Sequence, residues 1–341
     1  MKDITLLAID LAKDVFQLHG INKHGKKILE KRVSRAQLPN VVSNLPSCTI
    51  AIEACGSSNY WARKFKSFGH AVIQLSPQHV KPFVKGNKND KNDARAISIA
   101  AQQVDMPTVP IKTIEQQEIQ MNHRYRESLV SDRVALANRM RGYLREVGVF
   151  ITKGLASLRK SISLILEDAL NELTIGMREI LSNCYERLLA LDEEILIYTQ
   201  KIEEACKSNE VCKKLMSLPG VGPMIASIVF ATVGQASHFK NGRHFSAFLG
   251  LVPKEHSSGN SHRLLSISKR GNNYIRSLLI HGGRSIVQRV DNKNDGLSRW
   301  IQRIKKERGY NKASVALANK NARHIWAIMA YGDEYINPFA A

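Results

Sequence analysis

The segment Lys88-Asn89-Asp90-Lys91-Asn92-Asp93-Ala94-Arg95 opens an apolar run that continues through Ile97 and Ile99. Its two aspartates are three positions apart, which is nearly one helical turn, so on a helix both carboxylates face the same way. They also lie where a helix dipole favours negative charge, at the helix N-terminus. A capped, solvent-exposed helix start explains the same residues, so the role of Asp90 and Asp93 depends on acids elsewhere in the chain.

Short strand patterns and helix patterns alternate on the N-terminal side of this segment. Three consecutive strand patterns predict an antiparallel meander. They cover residues 4–10, 15–21 and 28–33. Two further strands, Thr49 to Glu53 and Ala71 to Leu75, flank a helix predicted over 58–68. Strands that alternate with helices after a meander predict an α/β domain with a mixed sheet.

Acidic residues end two of these predicted strands. Asp10 ends the first and Glu53 ends the fourth. If these strands are neighbours, their carboxyl ends bring both carboxylates together, and a helix across the sheet edge adds Asp90 and Asp93. Four carboxylates repel one another unless cations neutralise them, and hard oxygen ligands select Mg²⁺ or Mn²⁺. Two such ions about 3.5–4 Å apart would clamp the attacking and leaving oxygens of a phosphodiester.

A helical region follows the segment from Pro107 to Pro110, which interrupts the chain. A long arginine-rich helix is predicted over 113–149, and two more helices within 155–207. The last of these has a 3-4-3-4 spacing of apolar and half-apolar residues, which predicts either a coiled-coil seam or one amphipathic helix packed within its own domain. The seam residues are Leu181, Cys184, Leu188, Leu191, Ile195, Tyr198 and Ile202.

The chain is strongly basic, with 50 Lys and Arg against 30 Asp and Glu in 341 residues, a net charge of +20. This excess argues for a polyanionic partner. Nucleic acid fits better than a membrane, because no apolar run approaches the length of a transmembrane helix. Between Phe239 and His324 there are 18 Lys and Arg against four acids. We therefore expect the C-terminal third to make the most extensive nucleic-acid contacts.

Cysteine usage and the N-terminus predict a cytoplasmic protein. The five cysteines are odd in number and form no Cys-x-x-Cys pair. That pattern fits a reducing compartment and argues against a disulfide framework or a zinc site. Met1-Lys2-Asp3 leads directly into a strand pattern, so no signal peptide is predicted.

A basic loop in the C-terminal third carries a candidate nucleophile. It runs from Gly250 to Gly259 and ends in Ser257-Ser258-Gly259. A serine beside a glycine is typical of a flexible turn. Alternatively, the serine attacks a phosphate while Lys254, Lys269 and Arg270 stabilise the developing charge. His256 is then a candidate base, and Arg276 a further nucleic-acid contact.

The sequence Leu218-Pro219-Gly220-Val221-Gly222-Pro223 precedes another predicted helix. A Gly-x-Gly turn that enters a helix offers backbone amides and a positive helix end to a phosphate. Gly220 and Gly222 are therefore candidate nucleic-acid contacts in a unit similar to a helix-hairpin-helix. An ordinary tight turn between packed helices explains them as well.

Taken in order, these motifs resemble those of the DEDD transposases of bacterial insertion sequences, a group related to the Piv DNA invertase and described as bridge-RNA-guided recombinases. The resemblance covers nearly the whole chain. It rests on Ala8-Ile-Asp-Leu-Ala-Lys13, Ile52-Glu-Ala-Cys-Gly56, Asn89-Asp-Lys-Asn-Asp-Ala-Arg95, Leu218-Pro-Gly-Val-Gly222, Ala247-Phe-Leu-Gly-Leu-Val-Pro253, Ser257-Ser-Gly259 and Ser268-Lys-Arg-Gly-Asn272. Cys55 stands where the family often has threonine, which is not a ligand position.

The resemblance implies three domains. Residues 1–112 are expected to form an RNase H-like (RuvC-like) catalytic domain whose four acids hold Mg²⁺. Residues 113–210 are expected to form long helices and a coiled coil for oligomerisation and nucleic-acid contact. Residues 211–341 are expected to form a mainly helical transposase domain that carries the serine loop.

The resemblance also implies a mechanism and partners. The nucleophile is expected to be Ser258, by its position before the glycine, with Ser257 the lesser candidate, and it forms a transient phosphoserine link to DNA. Expected partners are double-stranded DNA at the element ends and the target, an element-encoded guide RNA, and further copies of the chain. A dimer or tetramer would join acids and serine from different subunits, in the bacterial cytoplasm at the nucleoid.

Three other functions remain open at this point. A Piv-like DNA invertase would use the same residues. A metal-dependent junction-resolving nuclease would use the acids alone and survive Ser258→Ala. A non-enzymatic architectural DNA-binding protein would explain the charge, but it leaves the four acids as a cost to phosphate binding.

Overall fold

The computed structural model describes residues 3–87, 89–234, 236–259 and 261–332. The chain divides into two compact units. The first contains Met1–Ile114 and Val233–Phe245, and the second contains Glu115–Thr232 and Ser246–Ala341. The long helices and most of the C-terminal region lie in this second unit.

A six-stranded mixed sheet forms the centre of the first unit, in the order β3-β2-β1-β4-β5-β6. Its strands are β1 (Leu6–Asp10), β2 (Val15–Ile21), β3 (Lys27–Ser34), β4 (Thr49–Glu53), β5 (Ala71–Leu75) and β6 (Thr108–Val109). Strands β1, β4 and β5 are parallel to one another, and β2, β3 and β6 join antiparallel. The predicted meander and mixed sheet are confirmed. The predicted interruption between Pro107 and Pro110 is wrong in one respect, because it contains β6.

Helices cover both faces of this sheet. They are α1 (Leu38–Ser43), α2 (Ser58–Ser67), α3 (Pro77–Val80) and α4 (Asp90–Ala101). On one face Leu7, Ile9 and Ile52 pack with Trp61 and Phe65 of α2. On the other face the smaller side chains of Ala8 and Ala51 pack with Ala96, Ile97 and Ala100 of α4. Because side chains alternate along a strand, the large residues fill one face and the small ones let α4 lie close to the other.

Within the described residues the second unit contains eight helices, a two-stranded ribbon and the last residues of a further helix, α10 (Gly242–Phe248), which begins in the first unit. The helices are α5 (Ile114–Glu146), α6 (Leu155–Glu167), α7 (Ile175–Lys207), α8 (Glu210–Leu215), α9 (Pro223–Val233), α10 (Gly242–Phe248), α11 (Asn273–Val287), α12 (Gly296–Arg308) and α13 (Tyr310–Tyr331). The ribbon consists of β7 (Pro253–Ser258) and β8 (Ser261–Ile267), which pair antiparallel. The sequence analysis predicted this ribbon only as a loop.

Helices α5 and α7 run antiparallel, and α6 packs against them. The Arg126 Nε donates to Thr199 Oγ1 at 2.7 Å, and the Arg133 Nη1 donates to Asp192 Oδ1 at 2.9 Å. Apolar side chains of all three helices form one core. Its buried members include Leu136, Met140, Leu144, Leu158, Ile162, Leu181 and Leu188.

The predicted seam of α7 contributes to the core of this chain. Leu181, Leu188, Ile195 and Ile202 are buried, whereas the alternate seam positions Cys184, Leu191 and Tyr198 are half-buried. In an isolated amphipathic helix these residues would be free for a second copy. Here these residues pack within one chain, which agrees with the second prediction, that of an amphipathic helix packed within its own domain.

A buried imidazole links three helices of this unit. His123 of α5 has its Nε2 2.9 Å from Ser227 Oγ of α9 and its Nδ1 3.0 Å from Tyr274 Oη of α11. Burial, helped by the charge of Arg126, lowers the pKa of His123 to about 4. The ring is therefore neutral at pH 7. Since the Ser227 hydroxyl donates to Pro223 O, Nε2–H donates to Ser227 and Nδ1 accepts from Tyr274.

Two glycines fix the base of the ribbon by close backbone contact. Gly250 and Gly271 have φ of 71° and 85°. A Cβ on Gly250 would lie 2.1 Å from Arg270 O, and one on Gly271 would lie 1.8 Å from Phe248 O. The Lys269 amide also donates to Gly250 O at 3.1 Å. The segments before β7 and after β8 are thereby held together.

We predict that Gly271→Ala strongly destabilises the second unit. The new Cβ adds a clash with the Phe248 carbonyl to the strain of a left-handed backbone. Gly148→Ala is the matched control, because Gly148 has φ of 74° and no atom within 4 Å of its Cβ position. The control should lose only about 1–2 kcal/mol of unfolding free energy, as measured by urea denaturation. Equal losses in the two variants would contradict the close-contact explanation.

Candidate active site

Two acids lie side by side at one edge of the six-stranded sheet. Asp10 is the last residue of β1 and Glu53 the last residue of β4. These strands are adjacent and parallel, with Ile9 opposite Ile52, so the two acids follow at neighbouring strand ends. Alternate residues of a strand point to the same face of the sheet. Asp10 therefore shares a face with Ala8, and Glu53 shares one with Ala51. This is the face that α4 covers.

The other two acids reach the same edge on the first turn of α4. Asn89 caps this helix, its side chain accepting from the Asn92 amide at 2.9 Å. Asp90 and Asp93 follow in the first helical turn. Helix α4 packs across β1 and β2 through an alanine-rich face, and its N-terminal end therefore lies near the carboxyl ends of β1 and β4.

The pKa of Asp10 responds both to its burial and to the other three acids. Burial raises the pKa of Asp10 from 3.8 to about 6, and the charges of Asp93, Asp90 and Glu53 add to the rise. The pKa of Glu53 is also raised, first by burial and then by the charge of Asp93. All four carboxylates thus interact across a partly buried space. This arrangement agrees with the expectation from the sequence that the four acids lie near one another at the sheet edge.

The chemistry of the donor set fits a hard divalent cation. All four groups offer carboxylate oxygens, and their mutual repulsion is of the kind that a bound cation relieves. In the described part of the chain, no three His, Cys, Asp or Glu side chains are close enough together to coordinate a single ion. The acids are therefore gathered at one edge but not arranged as a coordination sphere.

The two candidate nucleophiles lie on opposite faces of the β7–β8 ribbon. Ser257 pairs with His262, and Ser258 pairs with Ser261. The Ser257 hydroxyl donates to Glu255 Oε1 at 2.6 Å, and His262 Nδ1 lies 3.6 Å from the same carboxylate oxygen. Ser258 shares its face with His256, Ser261 and Arg263, since alternate residues and cross-strand partners share a face. Both serines are exposed.

Sequence reasoning missed two residues of the Ser258 face. His256 had been singled out, but Ser261 and Arg263 had not. The signal was present as Ser258-Gly259-Asn260-Ser261, where Gly-Asn between two polar strands is typical of a two-residue hairpin turn. Asn260 itself lies outside the described residues.

The predicted phosphate-binding cations are divided between the ribbon and its base. Lys254 lies at the start of β7, while Lys269 and Arg270 follow the end of β8. The strand from Pro253 to Ser258 makes the ribbon about 17 Å long. Lys269 and Arg270 are therefore not brought next to Ser258 along the ribbon, although all three basic side chains are exposed.

Arg276 has a different position from the one predicted. It is 6% exposed. Its guanidinium donates to Leu249 O at 3.1 Å, Arg270 O at 3.3 Å and Asn273 Oδ1 at 2.6 Å. These bonds hold the two segments at the base of the ribbon, so Arg276 positions the loop and does not face solvent.

The two glycines of the Leu218–Pro223 turn also differ from each other. Gly220, with φ of 83°, packs against α11, where a Cβ would lie 2.6 Å from Gly282 O. Asn321 Nδ2 donates to Pro219 O at 2.8 Å and fixes the same turn. Gly222 has open space around its Cβ position and precedes α9. Gly220 therefore serves close helix packing, whereas the surroundings of Gly222 leave room for a ligand.

Comparison with known sequences identifies both regions. The profile of the transposase IS116/IS110/IS902 family matches residues 212–297, and a second transposase profile matches residues 7–149. The chain is 46% identical to the transposase for insertion sequence element IS1111A of Coxiella burnetii over 98% of this chain and 92% of that protein. The chain belongs to the IS116/IS110/IS902 family of transposases.

Two further relatives also match nearly the whole transposase. A probable family 20 transposase of Pseudomonas aeruginosa is 42% identical over 96% of this chain and 97% of its own. The transposase for insertion sequence element IS1328 of Yersinia enterocolitica is 34% identical over 97% of this chain and 98% of its own. The four acids lie in one matched region and the β7–β8 ribbon in the other. DNA is thus the substrate of this family.

No helix in the described ranges of the transposase combines the length and apolar character needed to cross a membrane.

We predict that Asp10→Asn makes the transposase more heat-stable at pH 8 without divalent cations. The folded-state pKa of Asp10 is raised to about 6 from 3.8, so the folded state binds the proton more tightly. Stability from this group is present below pH 4 and is lost as the pH rises through 6. The melting temperature of the variant should exceed that of the wild type at pH 8, and the difference should shrink at pH 5.

Asp14→Asn, an exposed acid beyond the end of β1, is the control and should change the melting temperature little at either pH. An Asp10→Asn variant that melts at or below the wild-type temperature at pH 8 would contradict the inferred cost of an ionised Asp10 that is partly buried beside three other carboxylates.

Proposed function

We propose that this transposase cuts and rejoins DNA with two chemical groups, the four-carboxylate cluster of the first unit and the Ser258 hydroxyl of the second. The observation that carries this proposal is the gathering of Asp10, Glu53, Asp90 and Asp93 at one sheet edge, where the charges of the other three add to the rise that burial causes in the pKa of Asp10. A fold gains nothing from repelling charges at one edge, so their presence points to chemistry.

We assign the first unit to the RNase H-like (RuvC-like) class. Its strand order, with β2 and β3 antiparallel on one side of β1 and β4 and β5 parallel on the other, supports this assignment. So does the position of the acids at the ends of β1 and β4 and at the start of the helix that crosses them.

Mg²⁺, or Mn²⁺ in its place, is the proposed cofactor, held by Asp10, Glu53, Asp90 and Asp93. When bound, it would supply Lewis-acid stabilisation of charge on a phosphodiester. The contribution of this chain is to hold carboxylate oxygens at one edge of a rigid sheet and to exclude part of the solvent from Asp10. Asp90 and Asp93 lie in the first turn of α4, at the end of the helix that attracts negative charge.

Ser258 is the proposed nucleophile. Ser257 is the weaker candidate because its hydroxyl donates to Glu255, whose charge also disfavours a nearby phosphate. In the proposed step a bond forms between Ser258 Oγ and phosphorus, and the bond from phosphorus to a sugar oxygen breaks. His256 accepts the serine proton, and the departing sugar oxygen takes up a proton. Resealing reverses the step on another DNA end.

Double-stranded DNA and an element-encoded guide RNA are the proposed nucleic-acid partners. The net charge of +20 supports a polyanionic partner of either kind. Exposed arginines on α5, such as Arg124, Arg139 and Arg145, offer a surface for phosphate contacts outside the ribbon. Lys254, Lys269 and Arg270 are proposed to contact the backbone at the base of the ribbon, and Gly222 through its amide, whereas Gly220 and Arg276 act by packing.

We predict that a covalent protein–DNA adduct forms and depends on Ser258. The transposase, Mg²⁺, DNA of the element ends and the candidate RNA are incubated, denatured and separated on a gel. Wild type and Ser257→Ala should give the adduct, Ser258→Ala should give none, and Asp10→Ala should lower it by about 100-fold or more. Ser257→Ala is a matched control, because it removes the neighbouring hydroxyl from the opposite face.

Cleavage without an adduct that persists in Ser258→Ala would instead establish a metal-only nuclease. Specific DNA binding without cleavage, unaffected by Asp10→Ala, would favour an architectural protein.

A homo-oligomer whose subunits share chemistry is the final part of the proposal. We predict that a mixture of Asp10→Ala and Ser258→Ala proteins, each inactive alone, regains part of the adduct formation after subunit exchange. If acids and serine must come from one subunit, the mixture stays inactive. The mixture of Asp10→Ala with Asp93→Ala, which lack the same cluster, is the control and should not recover.

A further inference from the structure

We propose that Arg263 binds the phosphate that Ser258 attacks. This inference rests on the proposed serine chemistry and adds to it a residue from the second strand of the ribbon.

The pairing register puts Arg263 on the Ser258 face. Ser258 pairs with Ser261, and His256 pairs with Arg263. Cross-strand partners project to one face, and alternate residues along a strand do the same, so these four side chains lie together. The two pairs are about 7 Å apart along the ribbon, a separation that long side chains bridge.

The two faces of the ribbon differ in charge. The Ser258 face near the end of the ribbon carries the hydroxyls of Ser258 and Ser261, the His256 imidazole and the Arg263 guanidinium, with the Lys254 ammonium further along β7 on the same face. The opposite face carries the Glu255 carboxylate, which accepts from the Ser257 hydroxyl and lies 3.6 Å from His262 Nδ1. A phosphodiester is therefore attracted to the face of Arg263 and repelled by the other.

The other basic side chains near the ribbon are less well placed for this role. Lys254 shares the Ser258 face but lies four positions away along β7, about 13 Å, and Lys269 and Arg270 lie at the base, about 17 Å from Ser258 along the strands. Arg276 is buried and donates to backbone carbonyls. Arg263 is exposed and lies only two positions beyond the residue opposite Ser258. It is the cation on this ribbon that shares both a face and a neighbouring position with the nucleophile.

The chemistry of a guanidinium suits the proposed contact. Its planar fork donates to two phosphate oxygens at once, which orients the phosphate as well as binding it. As the serine oxygen bonds to phosphorus, negative charge grows on the non-bridging oxygens, and Arg263 stabilises that charge without taking part in proton transfer. His256, its cross-strand partner, accepts the serine proton on the same face.

The test compares Arg263→Gln with wild type on two substrates. The cleavage position is first mapped from the wild-type adduct on the element-end DNA. A second DNA then carries a methylphosphonate there, which removes the charge of one non-bridging oxygen. On normal DNA we expect Arg263→Gln to slow single-turnover adduct formation by about 100- to 1,000-fold. On the methylphosphonate the loss should be much smaller, because the charge that Arg263 stabilises is absent. Arg263→Lys should restore part of the rate on normal DNA.

Two controls exclude weaker explanations. His262→Gln changes the opposite face of the same strand, and Lys23→Gln removes one exposed positive charge from the turn between β2 and β3; both should form adduct at close to the wild-type rate. Arg263 is exposed, so the melting temperature of Arg263→Gln should match wild type.

Equal losses on the two substrates, or an Arg263→Gln adduct formed at the wild-type rate, would overturn the Arg263 proposal while the Ser258 mechanism stands. The absence of any wild-type adduct would remove both.

Discussion

Repulsion among four carboxylates at one sheet edge is the constraint around which the first unit is arranged. Parallel pairing of β1 with β4 puts Asp10 beside Glu53, and the approach of α4 adds two more negative charges. The sheet permits this approach because Ala8 and Ala51 leave space for the alanines of α4. The position of the four acids therefore depends on the small residues on one face of the sheet, which let α4 approach, and on the large residues that fill the other face. The fold places the charges together, and the pKa of Asp10 is raised first by burial and then by the charges of Asp93, Asp90 and Glu53.

In the second unit, the main constraint is close contact between backbone segments at glycine positions. Gly250 and Gly271 bring two segments within a distance that a Cβ would forbid, and Gly220 does the same with α11. The buried Arg276 satisfies carbonyls that this packing would otherwise leave unpaired. The exposed ribbon thus emerges from a rigid base. An isolated two-stranded hairpin is only marginally stable in water. The contacts at the base of the ribbon therefore help to determine the positions of the side chains near its tip.

Sequence patterns predicted the first unit well because its strands alternate with helices and have apolar cores. The bounds of β2, β4 and β5 agree with the predicted ones, and Asn89 caps α4 at the position where the acids begin. Strand β6 escaped prediction because two residues between prolines carry no periodicity. The seam of α7 was evident from its spacing, but spacing does not say whether the partner is another copy or α5 of the same chain.

The ribbon was missed for a physical reason. Both of its faces are exposed, so Lys254 to Ser258 show no apolar alternation, and polar residues of this kind have low β-propensity. The candidate phosphate contacts were misjudged for a related reason. From sequence, Arg276 is one more basic residue near a serine, and only its burial shows that its donors are already used by the chain. Nearness in sequence likewise grouped Lys269 and Arg270 with Ser258, from which the length of the ribbon separates them.

The face of the ribbon to which each serine points determines its proposed role, because the two serines are chemically identical. Ser257 and Ser258 are identical side chains one position apart, yet the period of two sends them to opposite faces. One faces Glu255 and is held as a donor to it, and the other faces an imidazole and a guanidinium. A shift of the pairing between β7 and β8 by one residue would move Ser261 and Arg263 from the Ser258 face to the Ser257 face without altering the sequence. The pairing of Ser258 with Ser261 and of His256 with Arg263 therefore fixes which serine shares a face with the guanidinium.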